Sequence, residues 1–350
     1  MKNIVVDFSH IDGMYGFGDI CRNYAPKLAS QDVPELHFIY LLPEKFVGSF
    51  GNHIDYITRE HPQRDIRRLG LHIDLWHATD QLFKYRYKSE GTLQLLTVHD
   101  LNFLYEKKNF HRWKHQFKLK HRVRHSDYIT FISLYAEREL LNQMLLEKGK
   151  YEVIYNGISP IDKTIARQPE FVKDAGQKFF FTVGQIRKKK NFHVLIPMMR
   201  RFPDYHLYIS GDDHFKYARL IDEAIAEFGE DRIHLTGKIS EENKIWMYGH
   251  CQAFLFPSLL EGFGIPVLEA MQMGCKVVSS RCSSLPEICG EHALYWENFE
   301  PEAMADVVSQ ALANDDAVHR DSRIEYAKGF NYDKYTGQYI ALYKKLLNIG

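Results

Sequence analysis

Short apolar runs spaced by charged segments of helical length set the tightest limit on what this chain can fold into. Ile4 to Phe8, Leu36 to Leu42, Leu75 to His77, Leu93 to Val98, Tyr128 to Ile132 and Glu152 to Tyr155 form one series. Phe179 to Val183, His206 to Ser210, Ile233 to Leu235, Ala253 to Phe256, Lys276 to Ser279 and Ala293 to Trp296 form a second. Runs this short, bounded by turn residues and alternating with helices, read as buried parallel strands of an α/β domain. The pattern restarts after Asn156-Gly157-Ile158-Ser159-Pro160 and the stretch Asp162 to Gly176, which has turn residues and little apolar periodicity, so the interdomain linker is placed there. At 350 residues the chain is long enough for two cores, and two domains imply a cleft. Tyr332 to Leu347 reads as an amphipathic helix, with Tyr335, Tyr339, Ile340, Tyr343 and Leu347 at helical spacing, and by itself suits either domain.

Composition removes several classes. The 45 basic and 45 acidic residues cancel, so no bulk charge points to nucleic acid. The five cysteines, Cys21, Cys251, Cys275, Cys282 and Cys289, form no Cys-x-x-Cys pair and an odd count, which argues against a zinc ribbon or a disulfide framework and suits a reducing cytosol. The first residues reach Asp7 after a few apolar positions, without the apolar core of a secretion signal, and no apolar run approaches the ~20 residues of a membrane span. A cytoplasmic location is the expectation.

The stretch Phe256 to Met271 is the most informative. A strand ends near Phe256, a loop carries Glu261-Gly262-Phe263-Gly264, and Pro266 stands where a helix starts. Glycines let a backbone approach a ligand, and the free N–H groups and positive dipole end of the helix suit a diphosphate. Glu261 before the helix and Glu269 about one turn inside it are placed to reach the same molecule, and carboxylates accept hydrogen bonds from sugar and ribose hydroxyls. Spacing alone equally fits a glycine-bearing loop with two surface glutamates.

Glu-Gly-Phe-Gly-Ile-Pro-Val-Leu-Glu-Ala-Met, a Glu-x7-Glu pattern, resembles the signature of the retaining glycosyltransferases of family 4. Val153 to Ile158, Val183-Gly184-Gln185-Ile186 through Lys190-Asn191, and Ser283 to Ile288 resemble further segments of that family, so the likeness covers most of residues 150–300. It implies a GT-B fold: two Rossmann-like α/β domains facing each other across a cleft, residues 1–160 on the acceptor side and 161–330 on the nucleotide-sugar side, with the helix in 331–350 assigned to the first. It implies transfer of a mannosyl- or glucosyl-type hexose from GDP-mannose or a UDP-hexose to a glycan or lipid-linked hydroxyl in surface-polysaccharide synthesis, with retention and with neither cofactor nor metal. Glu261 then contacts the donor sugar and Glu269 the ribose. Gly262, Phe263 and Gly264 present N–H groups to the sugar and diphosphate.

Arg187, Lys188, Lys189 and Lys190 form a dense positive cluster after a predicted strand. A solvated loop is the bland reading of such a run. A fixed cation beside a departing diphosphate acts where negative charge develops. Lys190 aligns with the family's phosphate-binding lysine; Gln185 stands where many members carry arginine, so Lys189 or Arg187 is expected to supply the second cation. Gly184 belongs to the same loop.

In the first half, Asp12-Gly13-Met14-Tyr15-Gly16-Phe17-Gly18-Asp19 follows a strand, but its glycine order is not that of a dinucleotide fingerprint. The resemblance turns this loop, Gly16 included, toward the donor diphosphate and acceptor. Thr97-Val98-His99-Asp100 puts His99 at a strand end, where open α/β sheets bind ligands. A match to a family His-Asp makes His99 a candidate for the donor sugar or the acceptor hydroxyl, with Asp100 a candidate to orient it. His77 reads as structural. Asp212-Asp213 reads as a turn rather than a metal motif.

Lys107 to Ser126 carries eight lysines and arginines, four histidines and no acid, with Phe110, Trp113, Phe117 and Leu119 interleaved. It fits a peripheral contact of 107–125 with an anionic membrane at its inner face, or a helix packed by its aromatic side with solvated lysines. Nothing else resembles a nucleic-acid module. Two rival functions share the expected architecture: a nucleotide-sugar epimerase or hydrolase, and a non-catalytic membrane-surface nucleotide-sugar binding protein.

Overall fold

The computed structural model describes residues 1–13, 16–87, 89–229, 231–313 and 317–349. Met14 and Tyr15 of the glycine-bearing loop lie outside them. The chain divides into two units, Met1–Ser159 with Phe330–Gly350, and Pro160–Gly329.

The first unit is built on seven strands: β1 (Lys2–Asp7), β2 (Leu36–Leu42), β3 (Asp55–Thr58), β4 (Leu75–Ala78), β5 (Leu93–Val98), β6 (Tyr128–Phe131) and β7 (Tyr151–Val153). They pair in parallel in the order β3-β2-β1-β4-β5-β6-β7. On β1, Ile4 sits opposite Phe38 of β2 and Leu75 of β4. Alternation along the strand then sends Ile4 and Val6 into one core and Val5 into the other, so both faces are covered and the run is apolar throughout.

The helix Tyr332–Leu346 closes one of these cores, after Asn331 caps it by accepting the Lys334 N–H. Its tyrosines complete a buried hydrogen-bond network that His77, Thr97 and Thr130 begin within the sheet. Tyr343 meets Nδ1 of His77 at 2.7 Å and Tyr24 at 3.0 Å, and Tyr339 meets Thr97 and Thr130 at 2.9 and 3.0 Å. His77 also bonds Thr97 and is fully buried, which drives its pKa down to about 3 and keeps the ring neutral. It is a structural histidine.

The second unit repeats the plan with β8 (Phe179–Val183), β9 (His206–Ser210), β10 (Ile233–Gly237), β11 (Ala253–Phe256), β12 (Val277–Ser280) and β13 (Leu294–Trp296). All pair in parallel, in the order β10-β9-β8-β11-β12-β13. Each sheet reverses its strand order once, between β1 and β4 and between β8 and β11. Such a switch point opens a crevice beyond the carboxyl ends of the strands.

Two sequence expectations need correction. They omit β3, because only Ile57 and Thr58 of this edge strand are buried. The stretch Asp162 to Gly176 is not a free linker: Arg167 N–H bonds the Glu242 carbonyl, Asn243 Nδ2 donates to the Arg167 carbonyl, and Val172 is buried, all within the second unit. Contacts made by single apolar residues leave no periodicity to read.

Candidate active site

In the second unit the chain leaves β8 at Gly184, whose φ is +157° and where a Cβ would come within 3.3 Å of Lys190 Cε. The turn Lys188–Lys190 follows, and Asn191 ends it in the left-handed region at φ 58°. Lys190 is buried, with its ammonium 4.9 Å from the centroid of the Phe256 ring. That ammonium donates to Glu261 Oε1 at 2.6 Å, and Ser258 Oγ donates to the same oxygen at 2.6 Å. Backbone ties fix the two loops together, since Leu259 N–H donates to the Lys189 carbonyl at 2.7 Å.

The glycine loop is held from its other side by the turn after β12. Glu261 N–H donates to Ser283 Oγ at 2.9 Å, and Ser284 Oγ donates to the carbonyls of Glu261 and Phe263 at 3.1 and 2.7 Å. Phe263 is buried and acts as the loop's anchor. Gly264 takes φ 125° as the cap of the helix Ile265–Gln272, with Pro266 in its first turn, and a Cβ there would stand 3.0 Å from Leu285. A glycine is required because the backbone is both strained for other residues and pressed against a neighbour.

Glu269 lies within that helix and is bound from the helix Glu241–His250. Lys244 Nζ donates to Oε1 at 3.1 Å and Tyr248 Oη to Oε2 at 3.0 Å. Burial raises the Glu269 pKa although Lys244 opposes it. Burial alone would lower the Lys244 pKa, but Glu269 and Glu241 outweigh it and hold the ammonium above its usual value. Glu261 and Glu269 therefore have separate partners, on Lys190 and on Lys244. Lys244, Tyr248, Ser258 and the supporting roles of Ser283 and Ser284 are not foreseen by the sequence reading. The one available signal is the i, i+4 spacing of Lys244 and Tyr248 on a single helix face.

The remaining cations are divided. The Arg187 guanidinium lies 4.4 Å from the Phe215 ring centroid, Lys188 is exposed and Lys189 is half-buried. Asp212, Asp213 and His214, after β9, are the group of metal-ligand type side chains whose donor atoms lie within 4.8 Å of one another among the described residues. Lys238 reaches Asp212 at 3.5 Å.

In the first unit, Gly16 (φ 57°) begins the helix Phe17–Ala29. His99 follows β5 and is buried; its N–H donates to Gln81 Oε1 at 2.9 Å and its Nε2 meets the Thr79 carbonyl at 2.7 Å. Phe17 packs edge-on against the ring at 4.4 Å between centroids, and burial lowers the His99 pKa. The Asp100 carboxylate accepts the Asn102 N–H, capping the next turn. Beside them lies a group the sequence does not announce: His10 Nε2 stands 3.3 Å from Asp80, which raises the histidine pKa, and Asp7 at the end of β1 is pushed up to about 6 by burial. These groups come from the ends of β1, β4 and β5, at and beside the switch point.

Solved glycosyltransferases share this architecture. The chain matches sucrose-phosphate synthase from Thermosynechococcus elongatus with a TM-score of 0.72 at 18% identity over 100% of both chains. It matches Anabaena HepE crystallised with UDP-glucose at a TM-score of 0.69 and 15% identity, over 99% of this chain and 100% of that one. The fold is thus that of two Rossmann-like domains of the GT-B glycosyltransferases. Residues 164–330 match the family model of glycosyl transferases group 1. O-antigen chain mannosyltransferase B of Escherichia coli is 30% identical over 180 residues, 49% of this chain and 47% of that protein. O-antigen chain mannosyltransferase RfbU of Salmonella typhimurium is 23% identical over 242 residues, 69% of this chain and 66% of that protein. The chain thus spans about half the length of the first and just under two thirds of the second. No helix among the described residues is long and apolar enough to cross a membrane.

Proposed function

We propose that this chain is a retaining glycosyltransferase of family 4, moving a hexosyl group from a nucleoside-diphosphate sugar to a hydroxyl of a glycan or lipid-linked acceptor. The observation that carries the reading is the 2.6 Å pair of Lys190 and Glu261 at the switch point of the second sheet, which ties the lysine turn to the loop that starts the helix Ile265–Gln272. Its group 1 match over 164–330 and its similarity to O-antigen mannosyltransferases support the same reading. A mannosyl donor such as GDP-mannose is favoured by those relatives; the UDP-glucose complex of HepE keeps UDP-hexoses in view.

In this reading Glu261 binds sugar hydroxyls and Glu269 the ribose. Gly262, Phe263 and Gly264 offer backbone N–H groups, and Gly16 and Gly184 let the backbone come close to the donor. Lys190, with Lys189 or Arg187, neutralises the diphosphate as charge develops on it, so that no metal is called upon. His99 contacts the transferred sugar or orients the acceptor hydroxyl. The bond from the anomeric carbon to the diphosphate breaks while the bond to the acceptor oxygen forms on the same face, and the acceptor proton passes to the departing phosphate. A double displacement would need a carboxylate free to act as nucleophile; Glu261 is instead held by Lys190 and Ser258.

The test is Glu261→Gln with GDP-mannose and UDP-hexoses. Transfer is expected to fall by about 10²–10³-fold, the scale of losing one placed polar contact in a transition state, while calorimetry shows nucleotide affinity retained. Parent-level transfer in that variant, or an inverted anomer by NMR, would exclude the proposed chemistry.

A further inference from the structure

The helix Asn109–Arg124 of the first unit carries an aromatic ridge turned away from its own core. Phe110, Trp113 and Phe117 are 65%, 60% and 61% exposed. Their three- and four-residue spacing puts them on one helix face, where the rings stack in series at 6.1 and 5.8 Å between centroids. The inward face is different: Leu119 and Val123 are buried, and Arg122 reaches in to the carbonyls of Gln81 and Phe83. The helix is therefore anchored by its opposite side. Of the two alternatives for this segment, a helix packed by its aromatic side fails for all three rings.

Charge surrounds the ridge. Between Glu106 and Asp127 there is no acid, and Lys107, Lys108, Arg112, Lys114, Lys118 and Arg124 are exposed, in a chain whose net charge is zero. Contiguous exposed aromatics are costly in water and mark a surface that is covered in use. A second copy of the chain would bring the same positive charge against this one. Rings stacked on one another leave no slot for a nucleic-acid base. A bilayer with anionic headgroups answers both features, since Trp and Phe settle at the headgroup and acyl boundary while lysine and arginine pair with phosphates above it.

We infer that this helix is a docking surface for an anionic lipid bilayer, lying in the membrane plane with Phe110, Trp113 and Phe117 inserted. The inference stands independently of the transfer reaction. Trp113 reports on it directly, because the other tryptophans, Trp76, Trp246 and Trp296, are buried. The full chain is mixed with vesicles of phosphatidylcholine alone or with added phosphatidylglycerol. Sedimentation with the anionic vesicles only, a blue shift of tryptophan emission, and quenching by brominated acyl chains are expected. Combined Phe110→Ser, Trp113→Ser and Phe117→Ser substitutions abolish binding. Combined Lys114→Glu and Lys118→Glu substitutions, which leave the ridge intact and test the surface if the first variant misfolds, weaken it at least roughly tenfold. Equal binding to neutral and anionic vesicles, unquenched Trp113, or binding to single-stranded oligonucleotides in place of vesicles would overturn it.

Discussion

At the switch point of the second sheet an ammonium and a carboxylate meet 2.6 Å apart, while at that of the first sheet burial shifts Asp7 and His99 toward their neutral forms. Asp7 is raised to about 6 and His99 is lowered, both by burial, and the hydrogen bond to Asp80 raises the His10 pKa. The strand order is the same, but the loops differ. The second sheet sets a lysine turn and a glycine loop at its switch point, which suit a polyanion. The first offers imidazole and carboxyl donors and acceptors, which suit hydroxyl groups. One strand plan thus presents two chemistries, through the loops that leave β1, β4 and β5 in the first sheet and β8 and β11 in the second.

Removing Lys190 strikes hardest at this contrast. Lys190→Met leaves Glu261 with a partly buried charge that has lost its counter-ion and takes a cation from the proposed diphosphate site, so donor binding is expected to weaken by about 2–4 kcal/mol. Calorimetric titration checks it, and an unchanged Kd would move the phosphate contact to Arg187 or Lys189. Glu269→Ala comes next, with a loss of about 1.5–3 kcal/mol in nucleotide affinity. That loss should be equal for the sugar nucleotide and the bare nucleoside diphosphate; a loss confined to the sugar nucleotide would take Glu269 off the ribose.

The smallest effect belongs to the first sheet. The folded Asp7 carboxyl lies above its ordinary 3.8, so the folded state holds a proton that the unfolded state has released between 3.8 and about 6. Stability on this account falls as pH rises through that window. Asp7→Asn should therefore raise stability by about 1–3 kcal/mol near pH 8 and leave it unchanged at about pH 3. His77, lowered to about 3, adds an opposite slope to parent and variant alike, so urea melts are compared as differences. A gain that persists in acid would locate the cause outside ionisation.

Much of this plan is legible in the amino-acid sequence. Strands buried on both faces announce themselves as apolar runs, as Phe179 to Val183 and Leu36 to Leu42 do. β3 does not, because an edge strand with half its side chains in partial contact with water carries a weak pattern. Within the site, Glu261, Gly264, Pro266 and Lys190 sit in compact, readable segments. Lys244 and Tyr248, 25 and 21 residues from Glu269, do not. Their meeting is made by two helices packing side by side, and no local spacing encodes it. The same holds for Asp7, His10 and Asp80, which come together only when β1 and β4 become neighbours.

The return of the helix Tyr332–Leu346 to the first unit has a consequence for synthesis. Residues 160–329 leave the ribosome as one uninterrupted stretch, whereas the earlier unit must wait for them before Tyr339 and Tyr343 arrive to satisfy Thr97, Thr130 and His77. The half made first is the half finished last.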